Sequence, residues 1–135
     1  MIALDTNVIV DLVVESQPHY SQAKEWLKVQ ERPVATTHIC LGETLRLLTH
    51  PRIFPHPLLL SAAVELVGGF LRHFEIVVLP EKEEWWPDLK DLPSVRGNEI
   101  FDARIALCLK YNGVKEIATY DSDFKKYSFL KIISF

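Results

Sequence analysis

The first ten residues, MIALDTNVIV (residues 1–10), place a carboxylate between two apolar runs. Residues 2–4 predict a short buried strand, and residues 7–14 predict a short helix that follows at once. Asp5 therefore stands where a buried strand ends and a helix begins. A carboxylate at such a position must be compensated by hydrogen bonds, an opposite charge or a metal ion, because its desolvation is costly. Capping of the following helix is an equally good explanation for Asp5 taken alone.

The same alternation of strand and helix continues along the chain. Short apolar runs predict four further strands, at residues 34–36, 76–79, 117–119 and 130–133. Helical periodicity predicts helices at residues 19–30, 38–49, 58–73 and 99–112, with an interrupted helix at 81–92 and a loop at 93–98. The strands show no period of two, which favours an α/β fold with a parallel sheet covered by helices on both faces. Ligands of such sheets bind outside the carboxyl ends of the strands.

Composition and charge predict one ordered domain spanning residues 1–135, with 48% hydrophobic residues and a formal net charge of −3. This charge gives no overall basic surface, so a nucleic-acid partner would need local cations or a bound metal. Cys40 and Cys108 lie in apolar helical patterns and are predicted to be reduced core residues. The first apolar run has no basic leader, and no stretch approaches the roughly 20 apolar residues of a membrane span. We therefore expect a cytoplasmic protein with no membrane contact.

Three other acidic residues, Glu43, Asp102 and Asp121, also lie in apolar surroundings. Glu43 can pair with Arg46 at i,i+3, and Asp121 can serve a turn after a strand. Asp102 is predicted to share a helix face with core residues, where an unpaired charge is expensive, so both a buried salt bridge and a metal or substrate role stay open. If all four carboxylates meet at one sheet edge, their repulsion calls for a cation, and oxygen ligands suit Mg²⁺ or Mn²⁺.

Four segments, taken in order, resemble the motifs of the PIN-domain family and are most similar to its VapC toxins. They are LDTN at residues 4–7, Glu43 on the helix after the second strand, FDARIA at residues 101–106 and ATYDSDF at residues 118–124. Residues 43–54, with Glu-x-x-Arg and Thr-His-Pro-Arg-Ile-Phe, are similar to one VapC subgroup. The resemblance covers nearly the whole chain. It implies a three-layer α/β/α domain with a five-stranded parallel sheet in the order 3-2-1-4-5.

The resemblance also implies a function, a cofactor and partners. The function is that of a metal-dependent endoribonuclease, with Mg²⁺ or Mn²⁺, which cleaves RNA phosphodiester bonds as the toxin of a toxin–antitoxin pair. A homodimer and a cognate VapB-like antitoxin, which blocks the acidic site with an inserted peptide, are expected partners. The implied metal and catalytic acids are Asp5, Glu43, Asp102 and Asp121, with Asp123 as a fifth ligand or supporting group. Thr6 and Asn7 would orient Asp5 or a metal-bound water, and Thr119 would orient Asp121.

Other residues receive more ordinary interpretations. Arg46 is expected to pair with Glu43, with charge balance or an RNA phosphate contact as the alternative. Arg104 stands two residues after Asp102 and is therefore expected to point elsewhere, into solvent or an interface. Trp85 and Trp86 are expected to serve packing or an interface. The five histidines show no zinc-binding spacing and are expected at the surface or at helix caps.

Two other functions remain compatible with the acidic residues. A metal-dependent phosphohydrolase of small phosphoesters is one, although Asn7 counts against it because a nucleophilic-aspartate phosphatase begins with Asp-x-Asp. The other is an inactive PIN-like binding module, against which the intact acidic residues argue. Activity on a simple phosphomonoester would distinguish the phosphohydrolase from a ribonuclease. Failure to bind Mn²⁺ would indicate the inactive binding module.

Overall fold

The centre of the structure, a computed structural model that describes residues 1–92 and 94–135, is a parallel β-sheet. Its strands are Ile2–Leu4 (β1), Val34–Thr37 (β2), Val77–Leu79 (β3), Glu116–Ala118 (β4) and Lys131–Ile133 (β5). They are ordered β3-β2-β1-β4-β5, and every neighbouring pair is parallel. The predicted strand order is confirmed, and each predicted strand lies within one residue of the observed one.

Helices flank the sheet in an α/β/α arrangement. They are Thr6–Val13 (α1), Tyr20–Lys28 (α2), His38–Leu48 (α3), Leu60–His73 (α4), Trp85–Asp88 (α5) and Glu99–Tyr111 (α6), with 3₁₀ turns at Leu89–Asp91 and Ser122–Lys126. The predicted helix at 81–92 is thus two short pieces that begin only at residue 85. The predicted loop at 93–98 starts at Pro93, which lies outside the described residues. None of the helices in the described ranges is both long and apolar enough to cross a membrane.

Burial explains why the strands carry no alternating pattern. All residues of β1 and β2 are buried, so both faces of the central sheet must be apolar or internally hydrogen-bonded. Cys40 and Cys108 are free and buried, as predicted.

The spacing of the leucines in α3 predicts a core stripe of Leu41, Leu45 and Leu48, and only Leu48 of these is buried. The buried residues of α3 are Cys40, Thr44 and Leu48, spaced at i, i+4 and i+8, whereas Leu41 and Leu45 are half-buried against α4. Thr44 tolerates this position because its hydroxyl donates to the carbonyl of Cys40 at 2.7 Å. The positions of the leucines alone do not reveal that stripe, because two of its three residues are Cys40 and Thr44.

Local signals set the ends of two helices that carry acidic residues. The Thr37 hydroxyl accepts a hydrogen bond from the backbone N–H of Cys40 at 3.2 Å, so Thr37 is the N-cap of α3. Gly113 follows α6 with φ of 70°, a left-handed conformation that favours glycine.

The strand order creates a crevice at the carboxyl end of β1. β1 pairs with β2 on one side and with β4 on the other, so the connections leave β1 and its neighbours in opposite directions. The backbone N–H of Asp5 donates to the carbonyl of Ala118 at 3.1 Å, which extends this pairing past the end of the strand. The topology therefore brings the residues after β1 and β4 together.

Candidate active site

Asp5 lies at the centre of the site, at the end of β1, with only 6% of its surface exposed. Its Oδ1 accepts a hydrogen bond from the backbone N–H of Thr6 at 2.7 Å, and its Oδ2 accepts one from the Thr119 hydroxyl at 2.6 Å. Burial raises the pKa of Asp5 above its ordinary value, and the two hydrogen bonds oppose that effect. Asp5 is thus the N-cap of α1 and, at the same time, a buried carboxylate at the switch point of the sheet.

The Thr119 hydroxyl supports Asp5 and makes three hydrogen bonds, one as a donor and two as an acceptor. Its Oγ1 donates to Asp5 and accepts from the Asn7 side-chain amide at 3.2 Å and from the backbone N–H of Asp121 at 3.0 Å. Thr119 was expected to orient Asp121. The hydroxyl does hold the backbone N–H of Asp121, and it also orients the carboxylate of Asp5, because β4 lies beside β1.

Glu43 is held on the same side by Thr6. The Thr6 hydroxyl donates to Oε2 of Glu43 at 2.8 Å, while the Thr6 backbone serves Asp5. The expected ion pair between Glu43 and Arg46 does not form, and Arg46 makes no ion pair within the described part of the chain. Glu43 faces the end of β1, where Thr6 offers a donor, and the exposed Arg46 keeps an unpaired guanidinium.

Asp102 brings a third carboxylate from α6. It is half-buried, and its pKa is raised to about 7, first by burial and then by the negative charges of neighbouring carboxylates. Those neighbours are Asp5, Asp121, Glu43 and Asp123, in decreasing order of effect. Because the charges of four other acids act on Asp102, all five acidic side chains lie near one another at one edge of the sheet.

Asp121 and Asp123 contribute from the turn after β4. Oδ1 of Asp121 accepts from the backbone N–H of Asp123 at 2.8 Å, so Asp121 caps the 3₁₀ turn that begins at residue 122. Asp121 is half-buried and Asp123 is exposed. The turn role that was open for Asp121 is therefore real, and the negative charge of Asp121 also contributes to the raised pKa of Asp102.

The chemistry of these donors fits a hard divalent cation, although their present spacing is wider than a metal site requires. In residues 1–92 and 94–135, no three His, Cys, Asp or Glu side chains are close enough to hold a metal ion as they stand. Several carboxylate oxygens are instead turned towards hydroxyl and amide donors. The donor atoms are all carboxylate oxygens, and the excess negative charge seen at Asp102 is what a cation would relieve.

A cavity of about 780 Å³ opens beside Glu43 and Asp102. Arg104 lies in its wall and was expected to point into solvent or an interface. It instead forms a two-pronged ion pair with Glu81, with Nη2 and Oε2 2.7 Å apart, and its guanidinium stacks on Trp85 with 4.2 Å to the ring centroid. Arg104 reaches these partners because the segment after β3 runs beside α6.

Two residues of this wall, Glu81 and Phe101, were not predicted as site residues. Glu81 follows β3 after a single proline, so it carries the same signal as Asp5: an acid just beyond a strand. Phe101 precedes Asp102 directly, and 49% of its surface is exposed. The four histidines His19, His38, His56 and His73 are exposed and His50 is half-buried, as expected from their spacing.

The parallel sheet in this order, with acids converging from β1, α3, α6 and the end of β4, defines a class of protein. The chain belongs to the PIN-domain family, whose family model matches residues 2–130. It is similar to VapC ribonucleases of Mycobacterium tuberculosis. Ribonuclease VapC24 is 31% identical over 124 residues, which are 88% of this chain and 85% of that protein. Ribonuclease VapC48 is 28% identical over 138 residues, with 95% and 92% covered.

Solved structures show the same fold at lower identity. VapC20 of Mycobacterium tuberculosis, described as a sarcin–ricin loop cleaving toxin, superposes with a TM-score of 0.75 at 21% identity and covers 99% of this chain and 100% of that one. VapBC2 from Rickettsia felis, bound to a DNA fragment from its promoter, gives 0.61 at 21% identity, with 98% of both chains covered. FitAB bound to a DNA fragment gives 0.67 at 19% identity, with 98% and 94% covered.

Proposed function

We propose that this protein is a metal-dependent endoribonuclease and the toxin of a VapBC-like pair. The observation that carries the proposal is the gathering of Asp5, Glu43, Asp102 and Asp121 at one sheet edge. Thr6 links Asp5 to Glu43, Thr119 links Asp5 to Asp121, and Glu43 and Asp102 line one cavity. The similarity to VapC ribonucleases over most of the chain supports RNA as the substrate. We also propose that residues 1–135 act as one PIN domain.

The residues proposed to hold Mg²⁺ or Mn²⁺ are Asp5, Glu43, Asp102 and Asp121, with Asp123 as a further ligand or a supporting group. When bound, such an ion supplies charge neutralisation of a phosphate and activation of a water. The chain's own donors prepare the ligands for this role. The Thr119 hydroxyl lowers the pKa of Asp5 against the effect of burial, and Thr6 fixes Glu43. Both acids are thereby oriented before a cation arrives.

Arg46 is proposed to bind an RNA phosphate. It lines the cavity with Glu43 and Asp102, is exposed, and has no ion-pair partner in the described residues. An unpaired guanidinium is a strong, two-pronged phosphate donor. On a chain with a net charge of −3, such a local cation is what an anionic substrate needs.

The proposed partners are a second copy of this chain and a VapB-like antitoxin, and the proposed location is the cytoplasm, where RNA is found. Support for the antitoxin comes from the VapBC2 and FitAB structures, whose folds match this chain. Light scattering of the purified protein, alone and after co-expression with the product of the adjacent reading frame, measures both associations.

Replacement of Asp102 tests the proposed function most directly. We expect Asp102→Asn to abolish Mg²⁺-dependent cleavage of RNA, because it removes one proposed ligand from a carboxylate that is only half-buried and leaves the fold intact. Asp91→Asn is the matched control, since Asp91 is an exposed aspartate outside the acidic site. Undiminished cleavage by a folded Asp102→Asn variant refutes the assignment, as does activity of the wild type on a phosphomonoester but not on RNA.

A further inference from the structure

Phe101 is unusual among the large apolar residues next to the acidic site. The residue is 49% exposed, yet it lines the cavity that also holds Glu43 and Asp102. Across the same cavity wall on α3, Gly42 leaves open space, because a Cβ added there meets no atom within 4 Å. The cavity thus combines an exposed aromatic face with room for a flat ligand beside it.

The remaining wall is held firmly in place. Two side chains of α6 and its C-cap residue, spaced at i, i+4 and i+8, bind the segment after β3. Arg104 pairs with Glu81, while Cys108 and the C-cap Asn112 donate to the carbonyl of Pro80 at 3.7 and 3.0 Å. The Arg104 guanidinium is also stacked on an indole ring. Little side-chain freedom is left to lose when a ligand contacts this wall.

The charges of the cavity favour a neutral ligand over an anion at this place. Glu81 already neutralises Arg104, and in the absence of a cation Glu43 and Asp102 repel a phosphate next to Phe101. A nucleobase has no charge, has planar faces that stack on aromatic rings, and has N–H groups that a carboxylate such as Glu81 accepts. Arg46, which lines the same cavity and makes no ion pair within the described residues, is a better binding partner for a phosphate.

We propose that this cavity binds one unpaired nucleobase of the RNA substrate, stacked on Phe101, with Glu81 and Arg104 at the edge of the base. The inference rests on the proposed ribonuclease function and assigns Phe101 as a residue that positions substrate. It implies single-stranded RNA, because a paired and stacked base cannot enter. Loss of one base–aromatic stack weakens binding by about five-fold to 150-fold.

Binding measured without cleavage tests this inference. The probes are fluorescein-labelled oligo(A), oligo(C) and oligo(U), with an abasic ribose–phosphate chain as the probe that lacks bases, all in EDTA and read by anisotropy. We expect Phe101→Ala to weaken binding of at least one oligonucleotide by about five-fold to 150-fold and to leave its salt dependence and abasic-chain binding unchanged. Phe101→Trp should restore binding. Ile100→Ala is the matched control, because Ile100 is 42% exposed and does not line the cavity.

A pair of glycine variants blocks the cavity without touching Phe101. Gly42 and Gly69 both lie within helices and both leave the space around an added Cβ empty, but only Gly42 lines this cavity. We expect Gly42→Leu to fold and to lose the base-dependent part of binding, whereas Gly69→Leu folds and binds as the wild type does. Both substitutions replace a glycine in a helix by a better helix former.

The outcomes separate this inference from the proposed function. Wild-type binding that is unchanged by Phe101→Ala and by Gly42→Leu overturns the nucleobase site alone. If RNA binding is unchanged in both variants but Phe101→Ala associates more weakly with a protein partner, the nucleobase site is overturned and Phe101 is assigned to the interface with that partner. Failure of the wild type to bind or cleave any RNA overturns the proposed function together with the inference.

Discussion

Replacement of Thr119 by valine removes one hydroxyl that serves the centre of the acidic site. That hydroxyl donates to Oδ2 of Asp5 at 2.6 Å, and both residues are buried, so water does not readily take its place. A hydrogen bond to a charged group contributes about 1.5–3 kcal/mol, against about 1 kcal/mol for a neutral pair. We therefore expect Thr119→Val to lower the free energy of unfolding by about 2–3 kcal/mol at about pH 8, without metal.

The same substitution should change the pH dependence of stability. The Thr119 bond lowers the pKa of Asp5, so its loss raises that pKa further above the ordinary value of 3.8. An acid whose pKa is higher in the folded state loses stabilising free energy as pH rises from the unfolded pKa to the folded one. The variant therefore loses more stability than the wild type as pH rises above the ordinary aspartate value of 3.8, and at the acidic end its deficit shrinks to about 1 kcal/mol.

Urea unfolding in EDTA, followed by tryptophan fluorescence at several pH values, measures both effects. Thr36→Val is the matched control, because Thr36 is fully buried in the neighbouring strand and donates to the neutral carbonyl of Leu4 at 3.0 Å. Its cost should be about 1 kcal/mol at every pH. Equal losses for the two variants, with equal pH dependence, would show that the bond to Asp5 does not support an ionised carboxylate.

Three further predictions follow from single residues. Because the pKa of Asp102 is raised from 3.8 to about 7, the metal-free wild type loses stability as pH rises from about 4 to about 7. Above that range, thermal unfolding in EDTA should show the Asp102→Asn variant to be more stable than the wild type by about 1 kcal/mol, a value reduced by solvent screening of this half-exposed group. Parallel pH profiles of the two proteins would contradict this. Tyr127 has a buried hydroxyl with no hydrogen-bond partner in the described residues, so Tyr127→Phe should leave the urea midpoint unchanged or raise it, and a clear drop would reveal a missed partner. Gly113→Ala should destabilise by about 1–2 kcal/mol because φ is 70°, whereas the helical control Gly69→Ala should stabilise; equal effects would exclude backbone strain.

The parallel sheet and the gathering of acids could be predicted because they depend on patterns that the chain carries locally, whereas the strand order was implied only by the resemblance to the PIN-domain family. The apolar runs before Asp5 and Asp121 are strands that are buried on both faces, and parallel strands present their carboxyl ends at one edge. Asp102 interrupts a core-facing stripe of α6. Each of these signals can be seen in a short stretch of sequence, and the fold then brings the acidic residues together.

Contacts between distant segments could not be predicted in the same way. Glu43 has a cation three residues away, yet it binds Thr6, which lies 37 positions earlier. Arg104 pairs with Glu81 across 23 positions, in a segment whose helix begins later than its periodicity suggested. Side-chain direction depends on which element lies alongside, and spacing along one helix carries no information about that neighbour.

The hydrogen bond between Thr119 and Asp5 joins residues 114 positions apart, and this separation governs when the site comes into existence. On the ribosome Asp5 emerges early, but its partner emerges only after β2, β3 and α6 have been made. Pairing of β4 with β1 is a non-local event, which is slow compared with helix formation. A growing chain therefore displays its first carboxylate long before that carboxylate is oriented. The hydrogen-bonded form of the acidic site therefore assembles only after residue 119 has been synthesised, and shorter nascent chains lack it.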